Sequence, residues 1–158
     1  MLTFLRRSLC CFFTSKKYKV PLLKDTIPWK PPIKHGFVVK VYDADTITIA
    51  SKLPYKTSPL YRWSVRINGI DAPELKSTNS ELAALAFKGK EKLSEKLLHQ
   101  KVTLKNVNTE KYGRILADVF LNDINIGEWL IDQNFAYKYN GQQKLKEHEQ
   151  IQLLLLDP

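Results

Sequence analysis

A change in the spacing of apolar residues at Gly36 constrains the fold of this chain more than any other feature. From there to Ile67, apolar and polar side chains alternate, which is typical of strands with one buried face. An acidic turn over residues 43–45 and a proline-containing loop over residues 51–59 interrupt the alternation. The pattern therefore predicts three strands, the first two joined as a hairpin, over residues 37–42, 46–50 and 61–67.

The second half of the chain adds helices and two more strands. Residues 79–98 carry an apolar stripe at helical spacing, with lysines and glutamates opposite it. Strands are predicted over residues 101–107 and 114–121, and helices over residues 126–133 and about 143–155. Five short strands interrupted by one helix predict an α+β fold, a five-stranded OB-type Greek-key β-barrel with about three helices. A six-stranded α+β sheet would show the same periodicity and is the alternative.

The net charge of +9 is unevenly distributed along the chain. Residues 1–24 contain six lysines and arginines and no acid, so the remaining 134 residues carry only +3. Bulk charge is therefore a weak argument for a polyanionic partner, and the position of individual charges has to support it. The two cysteines, Cys10 and Cys11, are neighbours in this segment, which excludes a disulfide framework and a cysteine zinc site in the domain.

The composition divides the chain into four parts. Residues 1–24 are a basic and apolar arm, residues 25–35 a proline-rich linker, residues 36–141 the OB-type domain, and residues 142–158 a C-terminal helix or tail. The arm has the arginines and the lack of acids of a mitochondrial presequence, and it fits a secretory signal less well. Acylated cysteines with nearby lysines would instead make residues 1–20 a membrane-surface anchor, and a disordered arm is the plain alternative. We therefore expect membrane association or organelle targeting.

Polar side chains collect in three separated segments at strand ends, over residues 43–46, 66–74 and 110–114. Hydrolysis of a phosphodiester requires a hard cation, rigid donors to the phosphate oxygens and a group that positions the attacking water. The aspartates, arginines and glutamate of these segments are residue types that could meet all three requirements.

Each of these side chains suits one task. Asp45 and Asp71 lie on turns, and such short carboxylates suit an oxygen-seeking ion such as Ca²⁺. Arg66 and Arg114 could hold one phosphate through their planar forks without losing a proton. Glu74 is then free to hold a water or to accept its proton. Taken singly, each has an ordinary explanation as part of a hairpin turn, a solvent-facing strand or a helix start.

Three motifs in fixed order make the assignment more specific. The patterns V-x-D-x-D-T, R-x-x-G-I-D-x-P-E and K-Y-G-R-x-L-A begin at Val41, Arg66 and Lys111. Together they resemble the staphylococcal (micrococcal) nuclease family, and the resemblance covers about residues 36–141.

The resemblance implies a calcium-dependent endonuclease that cuts DNA and RNA with low sequence specificity and leaves 3′-phosphate ends. The matched positions imply catalytic roles for Arg66, Glu74 and Arg114, Ca²⁺ ligation by Asp45, Asp71 and the Ala72 carbonyl, an acid beside the metal at Asp43, and substrate contacts by Lys111, Tyr112, Tyr137 and Tyr139. DNA or RNA is the implied partner, and we expect a monomer. Ala44 stands where the family usually has glycine, which matters only if that position needs a positive φ.

Two other functions are compatible with the sequence. A non-catalytic OB-type module would bind nucleic acid without cutting it, although binding alone does not require the full set of acids and arginines. A membrane-tethered adaptor would depend on residues 1–24 rather than on the domain.

Overall fold

In the computed structural model, which describes residues 19–156, the alternating segments form five long strands, and three two-residue strands lie outside them. The strands are β1 (His35–Asp43), β2 (Thr46–Lys52), β3 (Leu60–Ile67), β4 (Ile70–Asp71), β5 (Lys101–Thr109), β6 (Ile115–Leu121), β7 (Ile124–Asn125) and β8 (Tyr137–Lys138). The α-helices are α1 (Ser80–Leu97), α2 (Ile126–Asp132) and α3 (Glu147–Ile151), and α3 continues into a π-helical turn at Gln152–Leu156. All the predicted strands and helices are present, with ends shifted by up to four residues.

A parallel pairing between β3 and β6 closes the sheet into a barrel. β1 lies antiparallel between β2 and β5, β2 pairs with β3, and β5 pairs with β6. The ring is completed where Val65 and Ile67 of β3 pair with Ile115 and Ala117 of β6. This mixed five-stranded barrel with three helices confirms the predicted α+β fold of OB type. The short strand β7 only adds a two-residue antiparallel partner at the end of β6.

The barrel interior is filled by the side chains on one face of each strand. Val38, Ile47, Ile49, Val65 and Ile115 are at most 2% exposed. Successive side chains of a strand point to opposite faces, so the residues between these point away from the core. The outer faces of β1, β2 and β3 are therefore available to carry polar groups.

Helix α1 packs against the acidic turn between β1 and β2. Its first turn is capped by the Asn79 side chain, which accepts two backbone hydrogen bonds. Further along, a Cβ atom added at Gly89 would lie 3.2 Å from the Cβ atoms of Ala44 and Phe135. The glycine thus allows the helix to approach the turn closely enough to bury Ala44 completely.

The proline-rich linker packs on the barrel. After a single 3₁₀ turn at Leu23–Asp25, the ring of Trp29 stacks 6.4 Å from the ring of Trp63 on β3. Ile33 is only 3% exposed, and β1 begins at His35, the last residue of the predicted linker. The linker therefore leads directly into the first strand.

The predictions for the N-terminal arm concern residues that the structure does not cover. Cys10, Cys11 and nearly all of the predicted anchor over residues 1–20 lie outside the described residues. Among the helices of residues 19–156, none combines the length and the apolar composition needed to cross a bilayer.

Candidate active site

The β1–β2 turn places Asp45 beside the end of β3. The Asp45 carbonyl accepts a hydrogen bond of 2.8 Å from the backbone N–H of Ile67, which ties the turn to that strand. Its side chain is 6% exposed and accepts a hydrogen bond of 2.8 Å from the Thr46 hydroxyl. Ala44 is not among the residues with positive φ, so the absence of a glycine there causes no backbone strain.

Arg66 lies between the two aspartates that the sequence predicts as metal ligands. Its Nη1 donates to Asp45 Oδ2, and its Nη2 lies 2.5 Å from Asp71 Oδ1. The side chain is 10% exposed, and its Nε lies 3.8 Å from Glu110 Oε1. Burial alone lowers the pKa of Arg66, but the charges of Asp45 and Asp71 outweigh it, so the pKa is raised above its usual value. The guanidinium therefore keeps its charge.

Asp71 is held in place by the short sheet formed by β4 and β8. Asp71 pairs with Tyr137 in that sheet, and the Tyr137 hydroxyl donates to Asp71 Oδ2 at 2.6 Å. Burial raises the pKa of Tyr137, and the hydrogen bond to Asp71 raises it further. Tyr137 is only 3% exposed, so its hydroxyl is directed to the Asp71 carboxylate and not to the cavity. Tyr139 does line the cavity, and its hydroxyl donates to the Gln142 carbonyl at 2.6 Å.

The turn before β6 brings the second arginine to the same place. Gly113 has φ +78°, which a residue with a side chain rarely adopts, and its N–H donates to the Glu110 carbonyl at 2.9 Å. Arg114 Nε donates to Glu110 Oε2 at 2.7 Å. Glu110 therefore lies between Arg66 and Arg114.

These elements surround a cavity of about 720 Å³. It is lined by Lys40, Tyr42, Asp43, Asp45, Arg66, Ala72, Glu74, Leu75, Lys76, Lys90, Glu110, Lys111, Tyr112, Arg114, Tyr139 and Lys144. Nine of the eleven predicted site residues are in this set. The other two, Asp71 and Tyr137, lie directly behind it, joined to each other and to Arg66.

The charges around the cavity favour an anionic ligand. Seven lysines and arginines line it, against four acids. Glu74 and Tyr112 lie exposed at the edge of the cavity, and the Glu74 side chain is 74% exposed. The Lys111 ammonium lies 4.8 Å from the centre of the Tyr112 ring. A low-dielectric cleft with an excess of one charge concentrates ligands of the opposite charge.

Lys144 is the main site residue that the sequence did not reveal. Its Nζ lies 3.3 Å from Asp71 Oδ1 and 3.4 Å from Glu74 Oε1. Burial lowers the pKa of Lys144, and the charge of Asp71 more than offsets this, so the pKa is raised. The segment before α3 is fixed near the cavity by Glu147, which accepts a hydrogen bond of 2.6 Å from the Ser77 hydroxyl. In sequence, Lys144 is one of several lysines in a polar tail, and nothing distinguishes it.

The oxygen atoms near Arg66 have the chemistry of a hard-cation site. Burial and then the negative charge of Asp43 raise the pKa of Asp45 to about 7, against the opposing effect of Arg66. This crowding of negative charge would be relieved by a cation, and carboxylate and carbonyl oxygens are the ligands that Ca²⁺ prefers. Over residues 19–156, however, no three His, Cys, Asp or Glu side chains are grouped closely enough to hold a metal. Arg66 bridges Asp45 and Asp71 instead.

Comparison with known proteins gives one family and several relatives. A family model described as staphylococcal nuclease homologue matches residues 64–157. A protein of Schizosaccharomyces pombe named "Probable endonuclease" is 33% identical over an alignment of length 128, and the match covers 67% of this chain and 56% of that protein. An "Uncharacterized endonuclease" of Haemophilus influenzae is 31% identical over 116 residues, covering 73% and 56%. An uncharacterized protein of Methanocaldococcus jannaschii is 28% identical over an alignment of length 138, and the match covers 72% of this chain and 63% of that protein. The chain thus spans less than two thirds of the length of each relative.

Proposed function

The chain belongs to the staphylococcal nuclease family, and on this premise we propose that it is a calcium-dependent endonuclease acting on DNA and RNA with low sequence specificity. The observation that carries the proposal is that Arg66 and Arg114 line one cavity together with Asp45 and Glu74. The names of two relatives, both called endonucleases, support the same class of reaction. A protein that only binds nucleic acid has no need of this combination.

The two arginines would hold the reacting phosphate. Arg66 and Arg114 both contact Glu110, so their guanidinium groups lie close enough to donate to oxygens of the same phosphate. Negative charge on those oxygens grows in the transition state, and fixed donors that meet it there lower the barrier. Because arginine keeps its proton, the clamp does not depend on the local pH.

Glu74 would position the water. The Lys144 ammonium lies 3.4 Å from the exposed Glu74 carboxylate, and this contact keeps the carboxylate at the edge of the cavity. In the reaction, the water oxygen bonds to phosphorus while Glu74 accepts one water proton, and the bond from phosphorus to the 5′-oxygen breaks. The 5′-oxygen leaves and takes up a proton. The products are a 3′-phosphate and a 5′-hydroxyl.

Asp45, Asp71 and the carbonyl of Ala72 would hold the Ca²⁺ ion. When bound, the ion would supply a Lewis acid that polarises a phosphate oxygen and offsets the negative charge of the site. The contribution of the chain is to fix both carboxylates, Asp45 through Thr46 and Asp71 through Tyr137. Arg66 would share these carboxylates with the ion, since it bridges them here.

Digestion of end-labelled oligonucleotides tests this function directly. We expect the full chain to cut single-stranded DNA and RNA with Ca²⁺ present, to stop cutting with a chelator, and to leave 3′-phosphate ends. Binding without cutting in any divalent metal would instead identify the non-catalytic OB-type module. Cutting that continues in chelator would contradict the calcium dependence.

A further inference from the structure

The first half of the domain carries a strong excess of positive charge. Residues 26–42 and 46–70 together contain seven lysines and arginines and no acid, and the only acids between them are Asp43 and Asp45. Residues 71–158, by contrast, contain twelve lysines and arginines and thirteen acids. Four of the seven cations lie on β1, β2 and β3, namely Lys40, Lys52, Arg62 and Arg66, and the other three lie before β1 or in the loop between β2 and β3.

The strand register shows how these charges are arranged on the outer face. Next to the cavity, Thr46 of β2 pairs with Arg66 of β3. One row further on, Thr48 pairs with Lys40 on one side and Ser64 on the other. Thr46, Thr48, Ser64 and Arg66 share one face because they alternate with the core residues. Lys40 joins this face as the partner of Thr48, because the register of β1 shifts after Val38. The face is thus polar and basic where it leaves the cavity.

The next row combines an exposed aromatic ring with two cations. Phe37 pairs with Lys101 of β5 on one side and with Ala50 of β2 on the other, and Ala50 pairs with Arg62 of β3. Phe37 is 54% exposed although it lies in the middle of the sheet, and Lys101 and Arg62 are both exposed. Arg62 lies four positions before Arg66 on β3, which is about 13 Å along a strand. We name this set, Lys101, Phe37, Ala50 and Arg62, the Phe37 row.

We propose that the outer face of β1–β3 is a binding track for an unpaired stretch of the nucleic-acid substrate, which runs from the cavity past Lys40 to the Phe37 row. The proposal rests on the proposed function for the identity of its ligand. At this row the nucleic acid turns across the strands, so that a base stacks on the exposed face of Phe37 and the phosphates on either side of it pair with Lys101 and Arg62. A flat aromatic group between two cations on a face without acids matches single-stranded nucleic acid, whose bases and phosphates alternate.

Equilibrium binding tests the track without any need for cutting. The probe is a fluorescein-labelled 12-nucleotide single-stranded DNA, titrated with the full chain in chelator and followed by anisotropy. Phe37→Ala should raise Kd about 5-fold or more, the lower range for loss of one stacked base, while Phe37→Tyr should restore tight binding. Arg62→Ala should lower the slope of log Kd against log salt by about 0.7, the change expected for one lost phosphate contact.

Two matched variants act as controls. Ile124→Ala removes an apolar side chain of similar exposure, 47%, on β7, and Lys92→Ala removes one exposed cation on α1. Both should bind like the wild type, and thermal melts should show that all variants fold. A duplex of the same sequence should respond little to Phe37→Ala, because its bases are already stacked. If Phe37→Ala and Arg62→Ala bind the single strand like the controls, the track is overturned.

Cleavage kinetics separate this proposal from the proposed function. For a long single strand, Phe37→Ala should raise KM and leave kcat unchanged, whereas kcat/KM for a dinucleotide, which has no further base to reach the row, should not change. If the wild type cuts no substrate but the row variants bind more weakly than the controls, the nuclease proposal fails and the track stands. If the wild type cuts, and the variants bind and cut the long strand like the controls, the track fails and the nuclease stands.

Discussion

Arg66 shows how one residue can connect all parts of the site. It reaches Asp45, Asp71 and Glu110, which come from three different segments of the chain. A lysine at this position would place a single ammonium where the guanidinium now has separate donors for separate carboxylates. The site is therefore sensitive to the shape of this side chain as well as to its charge.

We predict that Arg66→Lys and Arg114→Lys each lower kcat by at least ~100-fold, because a point charge cannot reproduce the planar fork in the transition state. Single-turnover cleavage of a labelled oligonucleotide measures this. Lys92→Arg is the control, since it exchanges ammonium and guanidinium at an exposed position of α1 outside both the cavity and the proposed track. Arg114 is less buried than Arg66, so its variant should fold normally, and an unchanged kcat in Arg114→Lys would contradict the clamp.

The positive charge of Lys144 should weaken the binding of Ca²⁺ at the site. Its ammonium lies 3.3 Å from Asp71, and a cation so close opposes the arrival of a second one. Lys144→Ala should therefore lower the Kd for Ca²⁺, by about 5-fold if roughly 1 kcal/mol of repulsion is removed. Isothermal titration calorimetry measures this without substrate. Lys146→Ala is the control, and a weaker affinity in Lys144→Ala would show that the lysine supports the site instead.

The Tyr137 hydroxyl should contribute to stability as well as to the position of Asp71. Asp71 is 1% exposed, so Tyr137→Phe would leave a buried carboxylate oxygen without its donor. The expected loss in the free energy of unfolding is about 1–3 kcal/mol, measured by urea denaturation. Tyr139→Phe, which removes a hydroxyl bonded to an exposed carbonyl, should cost much less. Equal losses in the two variants would argue against a special role for the Asp71 contact.

At the scale of elements, the sequence is informative where a pattern is long. The eighteen residues of α1 and the nine of β1 contain several periods of their hydrophobic pattern, and both elements were predicted to within two residues. The two-residue strands β4, β7 and β8 contain no period at all, so they could not be predicted. This matters for function, because the pairing of β4 with β8 is what joins Asp71 to Tyr137.

The N-cap of α1 should be important for the helix that supports the acidic turn. The Asn79 side chain accepts hydrogen bonds of 2.9 Å and 3.0 Å from the N–H groups of Glu81 and Leu82. Asn79→Ala should lower the free energy of unfolding by about 0.5–2 kcal/mol in urea melts, and Asn79→Gly by less. Asn140→Ala, an exposed asparagine outside any helix, is the control. A stability equal to that of the control would mean that the cap contributes nothing.

At the scale of the whole molecule, the arm and the domain should be separable. The cavity is lined by residues from Lys40 to Lys144, and residues 19–24 are exposed. Deleting residues 1–24 should therefore leave cutting of oligonucleotides in solution unchanged, measured as kcat/KM. Loss of cutting would favour an adaptor function that depends on the arm. The proposed membrane or organelle localisation is tested separately, by comparing where the full and shortened chains are found in cells.

The sequence by itself determined the alternating strands, the fold class and the residue types that form the site, because these depend on local periodicity and on short motifs. It could not determine that Glu110 contacts both arginines, that Tyr137 faces Asp71 or that Lys144 reaches the acids. Tyr137 and Lys144 act on residues 66 to 73 positions earlier in the chain, and only barrel closure and the pairing of β4 with β8 bring those segments together. A residue's type and spacing specify what it can do, whereas its partners depend on tertiary contacts between segments that no local pattern links.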